Sequence, residues 1–339
     1  MLAAVLCALF SLEAQAQLQW RLSVKFILDA SGNPPTSGNG IGSAAEIRNH
    51  VNAANAFLDR AGRGYQINLT EIVNLAGVSQ WYSVNARDGG NKANLEAAAM
   101  ASPNLYAWRS DSINIYINNT SSGVCSFPGS GNAIFQGQSQ PGGTNGYPAP
   151  FHEMGHFFNL CHTMGCNCGD CVGDGGTCDS GNGDDGLADT LRDSTCWNRD
   201  QVSNAAFGLP YASLNAGQQN VVNYTYQNVM SYHTDSALNN YLETSDQLDR
   251  LTDAANGPRN YVCTGHTRFV DHNCGGLFPD GSSGCSFFSG PYHSVGDGIN
   301  HANGGDIVLI RPGNYNEPMT ISKPVTLRAT RGNATIGAP

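Results

Sequence analysis

Three histidines and one glutamate constrain the fold of this chain more than any other feature. The segment "HEMGHFFNLCH" (152–162) has the pattern H-E-x-x-H-x-x-N-x-x-H. Residues four apart on an α-helix differ by about 40° around its axis, so a helix places His152 and His156 on one face. Two imidazoles one turn apart can bind one zinc ion. Glu153 projects beside them, where its carboxylate can act as a general base toward water.

The third histidine would lie off that helical face. In a continuous helix, His162 would be rotated about 80° from His152 and about 120° from His156, too far to reach the same ion. The helix must therefore end before it, ordinarily through a residue with a left-handed backbone. Glycine adopts that conformation best and asparagine next best. We predict that Asn159 makes this turn and that the three histidines bind one zinc ion.

The first sixteen residues have the pattern of a cleaved export signal. An apolar run over 2–12 is followed by Ala14-Gln15-Ala16, a small-x-small cleavage site. We therefore expect a signal peptide at 1–16 and a secreted, extracellular protein; a short apolar helix is the alternative. No later segment approaches about 18 apolar residues, which predicts no membrane span. The net charge of −10 argues against a nucleic-acid partner.

The cysteines favour disulfides. Of 11 in the chain, ten remain once Cys7 of the predicted signal peptide is set aside. An even number in an exported chain indicates disulfides, which we prefer to a thiolate metal site for the "CNCGDC" cluster (166–171). Residues 17–255 hold an odd number of cysteines, and so do residues 263–285. Either one disulfide joins the two regions or each has a free thiol, and we favour the cross-link.

Hydrophobic periodicity predicts alternating strands and helices before the histidines. Strands are expected at 21–28, 65–73 and 112–118, and helices from a Ser43 cap to about 60 and at roughly 91–101. The residue pattern changes near 255–262, beyond which short runs with β-strand character are separated by Gly, Pro and Asn. We therefore predict one domain at 17–255 and a second, short all-β domain at 262–339.

The segment "NVMSYH" (228–233), taken together with the histidine pattern, resembles the metzincin clan of zinc peptidases. The resemblance implies an α+β zincin fold: a mixed twisted sheet, an active-site helix and a Met-turn beneath the metal. Met230 matches the methionine of that turn. Tyr232 matches a tyrosine that several metzincin families place near the metal, where a phenol hydroxyl can stabilise an oxyanion.

Within the clan, "CHTMGC" and "DDGLADT" (184–190) look most like the pappalysin family, including its cytophagalysin-type members. That resemblance implies a calcium site, for which Asp185, Asp189 and Thr190 are the candidate ligands. Acidic oxygens on a Gly-rich loop suit calcium. A solvated acidic loop is the alternative. His233 has no ligand spacing, and we interpret it as an ordinary polar residue.

The end of the chain resembles the opening rungs of a pectin-lyase-like, right-handed parallel β-helix, with strands expected at 307–310, 318–321 and 325–328. A solenoid end of this kind implies contact with a cell surface, a carbohydrate or the substrate. The sequence as a whole thus predicts a secreted zinc endopeptidase that acts on proteins or peptides. The alternatives are a surface- or carbohydrate-binding β-helix protein with an inactive protease-like module, and a Cys-rich structural protein.

Overall fold

A computed structural model describes residues 18–36, 41–138, 149–164, 185–194, 197–231, 233, 243–274, 276–330 and 332–337. The predicted signal peptide and the "CNCGDC" cluster lie outside these residues. Among the described helices, none combines the length and apolar character needed to cross a bilayer.

A five-stranded sheet forms the first layer of the fold. Its strands are β1 (Leu18–Ile27), β2 (Tyr65–Leu75), β3 (Ile113–Asn118), β4 (Gly123–Cys125) and β5 (Ala133–Gly137). Their spatial order is β2-β1-β3-β5-β4, and all neighbours run parallel except β4, which pairs antiparallel with β5 at one edge. This mixed sheet is the one that the resemblance implies.

Three helices precede or carry the histidine motif: α1 (Ala44–Ala61), α2 (Asn91–Ala101) and α3 (Ala149–Phe157). The α1 helix begins where predicted, because the Ser43 hydroxyl accepts a hydrogen bond from the Glu46 N–H. It ends at Gly62, whose left-handed backbone terminates the helix. The three strands and two helices predicted ahead of the histidines are confirmed to within a few residues at each end.

Three further helices, α4 (Arg199–Phe207), α5 (Ala216–Tyr226) and α6 (Ser245–Asn256), follow the histidine motif. Each begins with a capping box, in which an N-cap side chain and a glutamine three residues later bond each other's backbone N–H. The caps are Asn198, Asn215 and Thr244. These local bonds fix the helix starts around the loop that contains Met230.

The C-terminal part contains β6 (Thr267–Val270), α7 (Val295–His301), β7 (Ile307–Ile310), β8 (Gly313–Tyr315), β9 (Thr326–Ala329) and β10 (Ala334–Ile336). One parallel sheet has the order β6-β7-β9, and β8 pairs parallel with β10. Two of the three predicted strands are present. The prediction of a strand at 318–321 is wrong, because those residues have no regular structure.

The expectation that this segment is all-β is also wrong, because it contains α7. The Ser294 side chain caps that helix by accepting from the Asp297 N–H. The Glu317 carboxylate accepts from the N–H groups of Val295 and Gly296 in its first turn. A carboxylate at a helix N-terminus satisfies free N–H groups and complements the helix dipole. The acid that stabilises α7 thus comes from beyond β8.

The hydrophobic core is continuous between the first sheet and the C-terminal sheet. Phe269, Ile307 and Leu309 belong to the same buried cluster as Trp20 and Phe158. The C-terminal strands therefore pack onto the layer that supports α3, and their removal would expose the back of that layer.

The predicted cross-link between the two regions is wrong for the described cysteines. Cys274 and Cys285 form a disulfide with each other, and Cys161 is disulfide-bonded. Cys125 and Cys263 are free thiols. Because Cys274 pairs within its own loop and Cys263 is free, each region contains a free thiol, which was the alternative arrangement.

Candidate metal centre

The α3 helix ends where the histidine spacing requires. It runs to Phe157, and Asn159 then adopts a left-handed backbone with φ 73°. The Asn159 N–H donates to the His156 carbonyl and the Leu160 N–H to the Gly155 carbonyl, at 2.9 and 2.8 Å. These bonds close the end of the helix. The predicted conformation of Asn159 is confirmed, and the turn brings His162 back beside the helix.

The three histidines converge through their Nε2 atoms. The His162 Nε2 lies 3.1 Å from the His152 Nε2 and 2.9 Å from the His156 Nε2. All three side chains are buried, and among the described residues they form the one group of histidine, cysteine or acidic side chains able to hold a metal ion. Two nitrogens bound to one tetrahedral zinc ion lie about 3.3 Å apart. The observed spacing is therefore close to that of a zinc site.

Backbone carbonyls orient two of the rings. The His152 Nδ1 is 2.8 Å from the Val229 carbonyl, and the His156 Nδ1 is 2.7 Å from the Leu160 carbonyl. Because a carbonyl only accepts, each Nδ1 donates a proton, and in the neutral ring each Nε2 carries a lone pair. The Nε2 of a neutral His162 ring has at most one proton to donate, which cannot satisfy the lone pairs of both the His152 and the His156 Nε2 atoms. A cation can bind the Nε2 atoms of all three rings. The donor set of three neutral imidazoles fits zinc.

Burial keeps the His152 ring in this neutral form. Desolvation is the main cause that lowers the pKa of His152 well below its usual value, and the neighbouring His156 and His162 act in the same direction. The ring therefore remains unprotonated at neutral pH, which is the state that binds metal.

Met230 packs against Gly155 of α3, the residue before His156. A Cβ at Gly155 would lie 2.5 Å from the Met230 sulfur, so only glycine allows this contact. Asn228 shapes the turn by accepting from the Met230 N–H at 2.9 Å, and its side-chain amide donates to the Tyr224 carbonyl. Met230 is thus buried against α3, and its role as the methionine of a Met-turn stays a prediction. Gly155 was missed, although a glycine inside a helix signals close packing.

The chain after the third histidine is fastened by a buried polar network. The Thr163 N–H donates to the Met230 carbonyl at 3.3 Å, and its hydroxyl donates to one oxygen of Asp193 at 3.0 Å. The other Asp193 oxygen is 2.8 Å from the His233 Nε2. The His233 ring stacks on Tyr226 with centroids 4.0 Å apart. His233 is therefore a buried partner of Asp193, which its sequence spacing did not indicate.

A buried arginine holds the end of α3. Arg259 donates to the carbonyl of Phe157 at 2.9 Å and to the carbonyls of Ser126 and Gly131, both at 2.8 Å. Its guanidinium also lies 3.8 Å from the centroid of the Phe157 ring. It thereby ties the helix end to the loop 126–132, whose Phe127 ring lies 5.1 Å from the His156 ring. No local pattern marks Arg259 in the sequence.

The edge strand β4 runs alongside this cluster. It packs against α3, and the Cys125 thiol lies near Glu153. Burial, and next the negative charge of Glu153, raises the pKa of that thiol well above its usual value. Glu153 is itself buried on α3, next to His152. The acid predicted as general base is therefore held at the cluster, between α3 and β4.

Tyr232, the other predicted catalytic residue, lies outside the described residues. The oxygens of Asp185 accept from the Leu187 N–H and the Gln247 side chain, and one oxygen of Asp189 accepts from the Asp246 N–H. These bonds, with a 3.4 Å contact between the hydroxyls of Thr190 and Thr244, fasten the loop to the start of α6. Calcium binding there stays a prediction.

Glu243, which no pattern in the sequence marks, lies close to the loop that contains Asp189. Glu243 and Asp189 line one cavity of about 510 Å³. Neither Glu243 oxygen has a hydrogen-bond partner among the described residues, and burial raises the pKa of this carboxyl to about 8. The carboxyl is therefore largely neutral at pH 7.

Comparison with known proteins leaves the family open. No family model and no curated protein matches this chain. Among solved structures, it is similar to mature mirolysin of Tannerella forsythia in complex with a cleaved peptide. The identity is 18%, the TM-score is 0.44, and the match covers 73% of this chain and 95% of that chain. A likeness this distant assigns neither family nor activity, so function has to follow from the site itself.

Proposed function

We propose that this chain is a secreted zinc endopeptidase of metzincin type that hydrolyses peptide bonds in proteins. The observation that carries the proposal is the convergence of three buried Nε2 atoms, with contacts of 2.9 and 3.1 Å, beside a buried glutamate. His152, His156 and His162 would hold the ion. A zinc ion with three protein ligands supplies Lewis acidity and lowers the pKa of water in its open position toward neutrality.

The chain's own residues would carry the remaining steps. The Glu153 carboxylate would accept a proton from the attacking water and then deliver it to the nitrogen of the leaving amine. Met230 and Gly155 would keep the floor of the site apolar and closely packed. Tyr232, by its resemblance to the clan, is the proposed stabiliser of the oxyanion. This assignment rests on the sequence pattern alone.

The edge of β4 supports a peptide substrate. In an antiparallel pair, consecutive residues point their backbone groups alternately toward and away from the partner strand. The Gly137 N–H donates to the Ser122 carbonyl, so the N–H and C=O of Gly123 and Cys125 point away from β5. An edge that no described strand covers can pair with an extended peptide, and β4 lies beside Glu153 of α3.

The direct test is the substitution Glu153→Gln in the full chain. Removal of the base should lower peptidase activity on a denatured protein by roughly 10²–10⁴-fold, the usual contribution of general-base catalysis. Zinc content by mass spectrometry should be unchanged, because the three histidines remain. His156→Ala is the matched variant, and it should lose both the zinc and the activity.

Two outcomes would contradict the proposal. Full activity in the glutamine variant would remove Glu153 from the mechanism. A zinc-loaded native chain that cleaves no protein or peptide would favour the alternative, a binding protein with an inactive protease-like module.

A further inference from the structure

One arginine lies at the end of the free edge of β4. The Arg87 Nε donates to the Gly123 carbonyl at 3.2 Å, and the neighbouring Ala86 N–H donates to the Ser122 hydroxyl at 3.1 Å. The loop that contains Arg87 therefore covers the start of the strand. Gly123 is buried as a result, while Cys125, two residues on, is only half-buried. A peptide that pairs with the backbone of Cys125 therefore extends toward Arg87, which covers the strand at Gly123.

Arg87 is exposed, and among the described residues the one hydrogen bond of its side chain is the one from Nε to the Gly123 carbonyl. No described carboxylate forms an ion pair with it. Lys92, which also lies near β4, differs because it pairs with Glu96 at 3.7 Å. The positive charge of Arg87 is therefore available beside the start of β4.

We propose that Arg87 is a specificity-determining residue that selects peptides with an aspartate or glutamate at the end of the segment paired with β4. The inference rests on the proposed peptidase function. A guanidinium fixed through Nε keeps its two terminal nitrogens for a carboxylate, which they can bind in a bidentate manner. In an antiparallel pair, the residue opposite Gly123 lies two positions after the residue opposite Cys125. Preference for an acid should therefore appear at one position only.

The test is a positional scan with fluorogenic peptides, in which Asp is compared with Asn and Glu with Gln at every position. With the native enzyme, one position should favour the acid by about fivefold in kcat/KM, the upper range for an exposed ion pair. In Arg87→Glu that position should instead favour lysine, and Arg87→Lys should keep part of the acid preference. Salt at about 1 M should weaken the preference, because screening then acts within about 3 Å.

Arg48→Glu is the matched control, since Arg48 is an exposed arginine on α1 that contacts the Ala44 carbonyl of its own helix. It should leave the scan unchanged. If Arg87→Glu slows all peptides by one factor, Arg87 only supports β4 and the inference is wrong. If it leaves the acid preference intact, the inference is equally wrong. A native enzyme that cleaves no peptide would overturn the proposed function instead, which keeps the two failures distinguishable.

Discussion

The two halves of the histidine cluster are positioned by different parts of the chain. His152 and His156 lie one turn apart on α3, so their common direction follows from helix geometry. His162 reaches them through the left-handed turn at Asn159, and the residue after it is hydrogen-bonded to Asp193 and to the Met230 carbonyl. The helix half is thus encoded by local spacing. The turn half depends on residues distant in sequence, and substitutions there test the difference.

The largest effect is expected from Asp193→Ala, which removes the acceptor of the Thr163 hydroxyl and leaves His233 buried without its partner. Each buried polar group that is left without its hydrogen-bond partner destabilises the fold by about 1–3 kcal/mol. Because Asp193 orients the chain that carries His162, zinc affinity should also fall by roughly 10–100-fold. Urea unfolding and competition with a chromophoric chelator measure the two quantities.

Asp193→Asn should be more stable than Asp193→Ala, since the amide oxygen can still accept from the Thr163 hydroxyl. Its zinc affinity should also fall less. The control is Asp111→Ala, which removes a largely exposed partner of Arg21 at 3.6 Å and should leave zinc affinity unchanged. Native zinc affinity in both Asp193 variants would mean that the turn half needs no such support.

A smaller effect is expected at the turn itself. Asn159→Gly should preserve or slightly raise stability, because glycine adopts φ 73° without steric penalty. Asn159→Val should cost about 1–2 kcal/mol, since a side chain with a branched Cβ is strained in this region. Thermal unfolding with and without zinc gives both values. If the valine variant equals the native chain in stability and in zinc affinity, the position of His162 does not depend on this turn.

Local sequence predicted much of this fold and the centre of the site. The α3 helix, its end near Phe157 and the turn at Asn159 all follow from spacing and backbone preferences. Amphipathic patterns likewise predicted α1, α2 and the central strands. These features depend on neighbours within one or two turns, where periodicity and capping are informative.

The remaining features depend on contacts between distant segments. Asp193 and His233 are buried together although nothing in their spacing links them. Arg259, which follows α6 in the chain, donates to the Phe157 carbonyl at the end of α3. The α7 helix needs the Glu317 carboxylate from beyond β8, which explains why a turn-rich segment was predicted to be all-β. Which cysteines remain free thiols also depends on which loops pack together. Tertiary packing decides each of these, and local patterns do not record it.

The most direct test of the central claim is zinc K-edge X-ray absorption of the zinc-loaded chain. We expect one zinc ion with three imidazole nitrogens at about 2.0–2.1 Å, the signal of His152, His156 and His162, and oxygen in the remaining position. In His162→Ala the number of imidazole ligands should fall by one. Sulfur ligands at about 2.3 Å would place the metal on cysteines instead and would contradict the three-histidine centre.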